Sequence, residues 1–213
     1  MLKPGAVVVM LLVLLSAAAC TTQAPTPIVQ VTVSTVVAAT SSPASCVLLP
    51  VVVPTRPAYT PGYTEPDPTT NLHMTGTPQQ IDLLQYRLKV TGKVDRPLEL
   101  TYDELRCMPK IQTRAVLICP GFFEDVANWG GASLTAVLDQ AGVQPGATSL
   151  SLNGADGYSA FVTLEQARMG NNYLAYEWEG QPVPILHGFP VRSVFPSLQG
   201  NKWVKWLIEI QVE

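Results

Sequence analysis

Charge is scarce in this chain, and so are the usual metal-binding patterns. Only 14% of its 213 residues are charged, and the net charge is −3 with no basic run. Nucleic acid is therefore excluded as a partner, because phosphate binding needs a clustered basic face. There are two histidines, His73 and His187, so a three-histidine zinc centre is excluded by count. The four cysteines, Cys20, Cys46, Cys107 and Cys119, form no CxxC pair and no CxxCH. That removes zinc ribbons, thioredoxin-like sites and haem attachment by that motif. Neither GxGxxG nor GxxxxGK[ST] occurs, so dinucleotide and P-loop readings have no support.

What is present divides into three stretches. Residues 1–20 open with the positive Met1-Leu-Lys-Pro and continue as an apolar run from Ala6 to Ala19, which is short for a membrane span and suits a signal-peptide core. The run ends Leu15-Ser-Ala-Ala-Ala-Cys20, and small residues before a cysteine resemble a bacterial lipoprotein cleavage signal. Cys20 is then the expected lipidated residue, and the chain an extracytoplasmic, membrane-anchored lipoprotein; several acyl chains hold a protein stably at a membrane. The plain alternative is an ordinary secretory signal. Residues 21–80 hold ten of the nineteen prolines and three charges, Arg56, Glu65 and Asp67. Repeated proline blocks helices and ladders, so this stretch is expected to be a largely disordered spacer. Two apolar islands interrupt it, Ile28 to Ala39 and Cys46 to Val53, with Cys46 expected to be a free or incidental thiol. The folded domain is expected over 81–213.

Within that domain the pattern predicts a strand-rich, mixed α+β fold with short helices, not a doubly wound sheet. Strands are expected over Leu84–Thr91, Leu98–Leu100, Thr148–Leu152, Tyr158–Val162, Tyr173–Trp178, Val191–Phe195 and Leu207–Val212. Thr101 with Glu104 starts a brief helix by a capping box, and Cys107 has a packing role there. Ser133 caps a helix whose Leu134, Val137, Leu138 and Ala141 share one face, ended by Gly142. Thr163 with Gln166 caps a third.

Two stretches carry chemistry. In Ala115-Val-Leu-Ile-Cys-Pro-Gly-Phe-Phe123, a buried strand at Val116–Ile118 delivers the Cys119 thiol to a loop opened by Pro120 and Gly121 and running through Trp129-Gly-Gly131. A side chain so placed has its position fixed by the strand and its access by the loop. The second is His187-Gly-Phe-Pro-Val-Arg192 with Gly200-Asn-Lys-Trp-Val-Lys-Trp206. It concentrates His187, Arg192, Lys202 and Lys205, an anion site in which arginine supplies a fork and lysine a point charge. Ordinary surface charge beside a tight turn is the plain alternative.

The segments Leu117-Ile-Cys-Pro-Gly121, Trp129-Gly-Gly-Ala-Ser-Leu134, His187 to Arg192 and Gly200 to Trp206, in that order, resemble the molybdopterin-binding domain of the sulfite oxidase family. The resemblance implies a molybdenum–molybdopterin cofactor with Cys119 as catalytic metal ligand, and His187, Arg192, Lys202 and Lys205 binding the pterin's phosphate and ring edge. It also implies oxygen-atom transfer and an external electron-transfer partner. Tyr158 and Trp129 are expected to pack, with lining the pocket as the alternative. Sulfite-oxidising members carry an arginine shortly after the cysteine; here stands Phe122-Phe-Glu-Asp125, and a negative pocket repels sulfite. A small-molecule or sulfoxide-type substrate suits the departure. The family implies export by a twin-arginine signal, whereas this N-terminus has Lys3 and no arginine pair. A second reading is therefore a non-catalytic envelope binding module that keeps the fold and takes another anionic ligand or a protein partner.

Overall fold

Strands dominate from Leu88 to the C-terminus, as the apolar alternation requires. The structure is a computed structural model that describes residues 46–213. The expected signal segment, Cys20 and the island Ile28 to Ala39 lie outside the described residues. One sheet has the order β2-β1-β10-β5-β6, with β1 Leu88–Gly92, β2 Leu98–Leu100, β5 Ser149–Gly154, β6 Ser159–Thr163 and β10 Leu207–Val212. Only the β1–β10 pair in it is parallel, joining the two ends of the domain. The second sheet runs β3-β4-β7-β8, with β9 also on β7; here β3 is Lys110–Cys119, β4 Phe123–Ser133, β7 Tyr173–Trp178, β8 Gln181–Pro182 and β9 Arg192–Val194. The expected α+β class is the observed one.

Three short helices complete it: α1 Tyr102–Arg106, α2 Leu134–Ala141 and α3 Leu164–Ala167. Both capping boxes form, at Thr101/Glu104 and Thr163/Gln166. Ser133 caps α2, and Gly142 ends it in the left-handed region that a side chain resists. The predicted face of α2 is fully buried: Leu134, Val137, Leu138 and Ala141 are each at 0% exposure. Each large aliphatic so removed from water contributes about 1.5–3 kcal/mol.

Two expectations around Cys119 need correction. The strand before it is half-open rather than buried, with Val116 38% and Ile118 43% exposed. A one-sided sheet explains this, because alternate residues of β3 face solvent. The stretch Phe123 to Gly131 is not a loop but the body of β4, paired with β3 from Lys110–Ala132 to Cys119–Phe123. The glycines there mark a close approach, not a turn. The register with β7 shifts between Gly130 and Gly131, and a side chain on Gly131 would collide with the Leu174 carbonyl and lie 2.5 Å from Ala175 Cα. Both obstacles are backbone of a central strand. Gly131→Ala is expected to destabilise the domain by about 3 kcal/mol or more, read from denaturant unfolding.

Chain that was expected to be spacer is built into the domain. Cys46 forms a disulfide with Cys107 of the α1 cap, across 61 residues. Cys46 is thus not a free thiol, and Cys107 does more than pack; no local motif marks a pair so far apart in sequence. Arg106 also donates to the Leu49 carbonyl at 2.9 Å. Further on, residues 64–74 fold back on themselves through Thr64 N to Met74 O and Met74 N to Glu65 O, both 2.8 Å. Loop-closure entropy gives this disulfide roughly 2–4 kcal/mol of stabilisation. Cys46→Ser is expected to lower the thermal midpoint accordingly, and reductant to do the same to the parent but not to the variant.

Candidate functional site

A cavity of about 270 Å³ lies where the end of β3, the start of β9, the turn at Gly200–Trp203 and the strap around residues 63–76 meet. Cys119, His187, Arg192 and Lys205 all line it. Lys202 does not: it sits half-buried beside the cavity, while its neighbours Gly200, Asn201 and Trp203 form the wall. A 3-10 turn, Gly200–Lys202, directs alternate positions differently and separates the two lysines. Cys119 is half-buried at the tip of β3 and is the only free cysteine among the described residues.

Arg192 is the most constrained charge in the site. It is 2% exposed, with its guanidinium carbon 4.7 Å from the Trp129 ring centroid and 5.7 Å from that of Trp203. Stacking between indoles supplies cation–π attraction and fixes the plane of the fork. Nη1 donates to the His187 carbonyl at 3.1 Å, but Nε and Nη2 have no partner. Burial lowers its pKa to about 10, so it remains a cation at neutral pH. Two buried, charged donor nitrogens without protein acceptors cost several kcal/mol unless an anion meets them.

Lys205 stands next to it. Its Nζ donates to Thr75 O at 3.0 Å and Leu186 O at 3.4 Å. Burial first, and the charge of Arg192 second, push its pKa down to about 7. In the unfolded chain a lysine keeps its proton to about 10.4, so between the two values the unfolded chain binds more protons and stability rises with pH. An anion bound beside Lys205 brings a proton back to it. Affinity of the unloaded protein for sulfate, whose charge is constant in this range, is therefore expected to fall up to about tenfold per pH unit above 7. Calorimetric titration reads this, and Lys205→Met should flatten the dependence.

His187 is turned the other way. Its Nε2 lies 2.9 Å from Asp67 Oδ2 and 2.9 Å from Thr70 Oγ. Burial, helped by the charge of Lys205, lowers its pKa to about 3 despite Asp67, so the ring is neutral. Asp67 resists its own burial because Thr69 and His187 hydrogen-bond its carboxylate, and the net effect lowers its pKa. A neutral His187 whose Nε2 serves Asp67 acts as a prop between strap and site.

The strap contributes residues that sequence reading missed. Asp67 and His73 come from the expected spacer, yet both are fixed in the structure. His73 Nδ1 is 2.6 Å from Asp125 Oδ1, its backbone N–H donates to Asp125 Oδ2 at 2.9 Å, and its ring stacks on Phe123 at 4.3 Å. Asp125 is thus a buried, paired carboxylate on the cavity wall. An aspartate in a charge-poor stretch, set in Pro-Asp-Pro-Thr-Thr, was the available signal for Asp67, since Asx-type turns use that composition. Tyr158 and Trp129, for which packing was expected ahead of lining a pocket, both line the cavity. The Tyr158 hydroxyl donates to Asn201 O at 2.8 Å, which holds it at the rim.

The family model described as an oxidoreductase molybdopterin binding domain matches residues 73–213. The chain belongs to the molybdopterin-binding oxidoreductase family. It is 30% identical over 141 residues to the uncharacterized oxidoreductase YuiH of Bacillus subtilis, covering 66% of this chain and 71% of that one. It is 33% identical to mouse mitochondrial sulfite oxidase over 72% of this chain and 34% of that enzyme. It is 30% identical to a rice NADH nitrate reductase over 62% of this chain and 18% of that enzyme. The chain thus spans about a third or less of the sulfite oxidase and nitrate reductase it matches. Among solved structures, the sulfane dehydrogenase SoxCD of Paracoccus pantotrophus aligns with a TM-score of 0.60 at 27% identity, over 63% of this chain and 39% of that one.

The cofactor of this molybdopterin-binding family is molybdenum–molybdopterin, and the cavity residues fit it. The orphaned Nε and Nη2 of Arg192, beside Lys205, suit a phosphate that must be met inside the protein. Cys119 is a soft donor at the same cavity, suited to a metal that changes oxidation state.

Proposed function

We propose that this protein is an extracytoplasmic oxidoreductase that transfers an oxygen atom at a molybdenum centre ligated by Cys119. The observation that carries the reading is the convergence of Cys119, Lys205 and an Arg192 with two unpartnered donor nitrogens on one cavity. Arg192 and Lys205 bind the anionic end of the pterin, and the two indoles hold the Arg192 fork in its plane. His187, tied to Asp67, fixes the strap against them. Cys119 anchors the metal from the rigid end of β3. When bound, the cofactor supplies oxygen-atom transfer coupled to a two-electron change.

The wall near Cys119 supports one substrate class. Phe123, Tyr158 and the His73–Asp125 pair line it, and the carboxylate of Asp125 is 8% exposed. No arginine stands in Phe122–Asp125 to receive an oxyanion. Apolar faces with a paired carboxylate favour an uncharged oxide of the sulfoxide type over sulfite. Electrons come from an external partner protein. The Cys46–Cys107 disulfide supports an oxidising compartment. With the Leu15–Cys20 pattern it favours a lipoprotein anchored through Cys20.

The test supplies cofactor-loaded full chain with a reduced viologen as electron donor. Sulfoxide-dependent viologen oxidation, with no sulfite oxidation in the reverse assay, is the expected result. Turnover of sulfite alone would overturn the substrate class. A loaded chain that turns over neither would favour the non-catalytic binding module.

A further inference from the structure

Residues 46–60 hold an apolar surface that the fold leaves unused. The strap continues N-terminally through these residues, which include Pro50, Pro54 and Pro57 and form no regular element. Its burial has a period of three: Leu48, Val51, Pro54, Pro57 and Thr60 face the domain, and the residues between them are exposed. That is the signature of a polyproline-II segment, which has three residues per turn and presents only one row to a flat support. Val51 packs against the main core from this row. The other rows carry Val47, Leu49, Val52 and Val53, exposed at 89%, 80%, 84% and 49%. Folding does not account for them, because no rotation of the strap can bury all three rows.

We propose that this face of the strap docks on a lipid bilayer. The inference rests on the membrane-anchored reading of Cys20 given above. Three observations select lipid as the occupant. First, the patch is the part of the described structure next in sequence to the proposed anchor, with only residues 21–45 between, so the anchor presents it to the surface at high local concentration. Second, residues 46–55 carry no charge, and the first charge, Arg56, faces outward with Tyr59 close behind. A cation and an amphipathic aromatic bordering an aliphatic patch match the headgroup region of an anionic membrane. Third, the Cys46–Cys107 disulfide and the Arg106–Leu49 hydrogen bond root the patch on α1, so docking immobilises little that is not already fixed.

The test places a reporter on the patch of the full chain. Leu49→Trp is tolerated because the side chain points outward, and three of the four native tryptophans, Trp129, Trp203 and Trp206, are buried. The variant is bound to vesicles of phosphatidylcholine and phosphatidylglycerol, with acyl chains brominated near the headgroup. Blue-shifted emission, quenched at least about twofold beyond the parent protein, is expected for a side chain in the interface. A chain that sediments with the vesicles without extra quenching would overturn the docking and leave the anchor standing. A chain that does not sediment would overturn both. A blue shift that depends on protein concentration and needs no lipid would assign the patch to a second copy instead. Molybdenum content reports the cavity separately, so the outcome does not depend on the enzymatic reading.

Discussion

Arg192→Met is expected to strip the cofactor from the protein while leaving the unloaded chain no less stable. The two effects have one cause. In the unloaded protein the guanidinium is 2% exposed, and two of its donor atoms meet no protein acceptor. Replacing a buried, incompletely paired charge with an apolar side chain of similar volume is often neutral or stabilising by about 1–4 kcal/mol. Against that stand two indole contacts and one hydrogen bond to the His187 carbonyl. Cation–π contacts contribute about 0.5–2 kcal/mol each, so the opposing terms are of similar size. Methionine keeps part of the packing between Trp129 and Trp203. In the loaded protein the same substitution removes two charge-assisted hydrogen bonds, worth about 1.5–3 kcal/mol each, or about 10²–10⁴ in affinity. Pterin content, measured as its fluorescent oxidation product, should fall at least about tenfold while the unloaded melting temperature holds or rises. A large drop in unloaded stability would mean that Arg192 is a structural residue of the fold, not an anion ligand.

Cys119→Ser has the second large effect and a different signature. Cys119 is half-buried at the end of β3, next to a turn at Gly121 with open space around it. Exchange of sulfur for oxygen there leaves the hairpin intact, so the fold and the anion site remain. A hard alkoxide or hydroxyl is a poor substitute for a thiolate toward a metal that changes oxidation state. The visible absorption of a metal–thiolate bond should disappear, and turnover should fall by at least about a hundredfold. Pterin is expected to be retained better than in Arg192→Met, because the anion site is untouched. Loss of pterin in both variants alike would show that the thiolate carries most of the binding energy.

The parts of this molecule that were legible in its sequence are those set by local rules. The face of α2, the caps at Thr101, Ser133 and Thr163, and the strands from Ser149 to the C-terminus follow from periodicity and side-chain hydrogen bonding over a few residues. That Cys119, Arg192 and Lys205 would stand together was legible through spacing and motif. What escaped was long-range. Asp67 reaches His187 across 120 positions, and His73 reaches Asp125 across 52. No local pattern encodes such contacts, and a proline-rich composition suggested only a spacer. The composition was a true sign of extended chain, but extended chain can pack by one row in three. Lys202 resembles Lys205 in charge and spacing, but a single turn places it off the cavity. Gly130 and Gly131 read as a loop because glycine serves both turns and close backbone approach, and only the position of β7 distinguishes the two.

The most direct test of the site is the molybdenum and pterin content of the full chain, purified from cells that make the cofactor. Near-equimolar molybdenum and pterin per folded chain are expected, with visible absorption that is lost in Cys119→Ser. A folded chain that carries neither, made beside a control molybdoenzyme that loads fully, would contradict the assignment of this cavity.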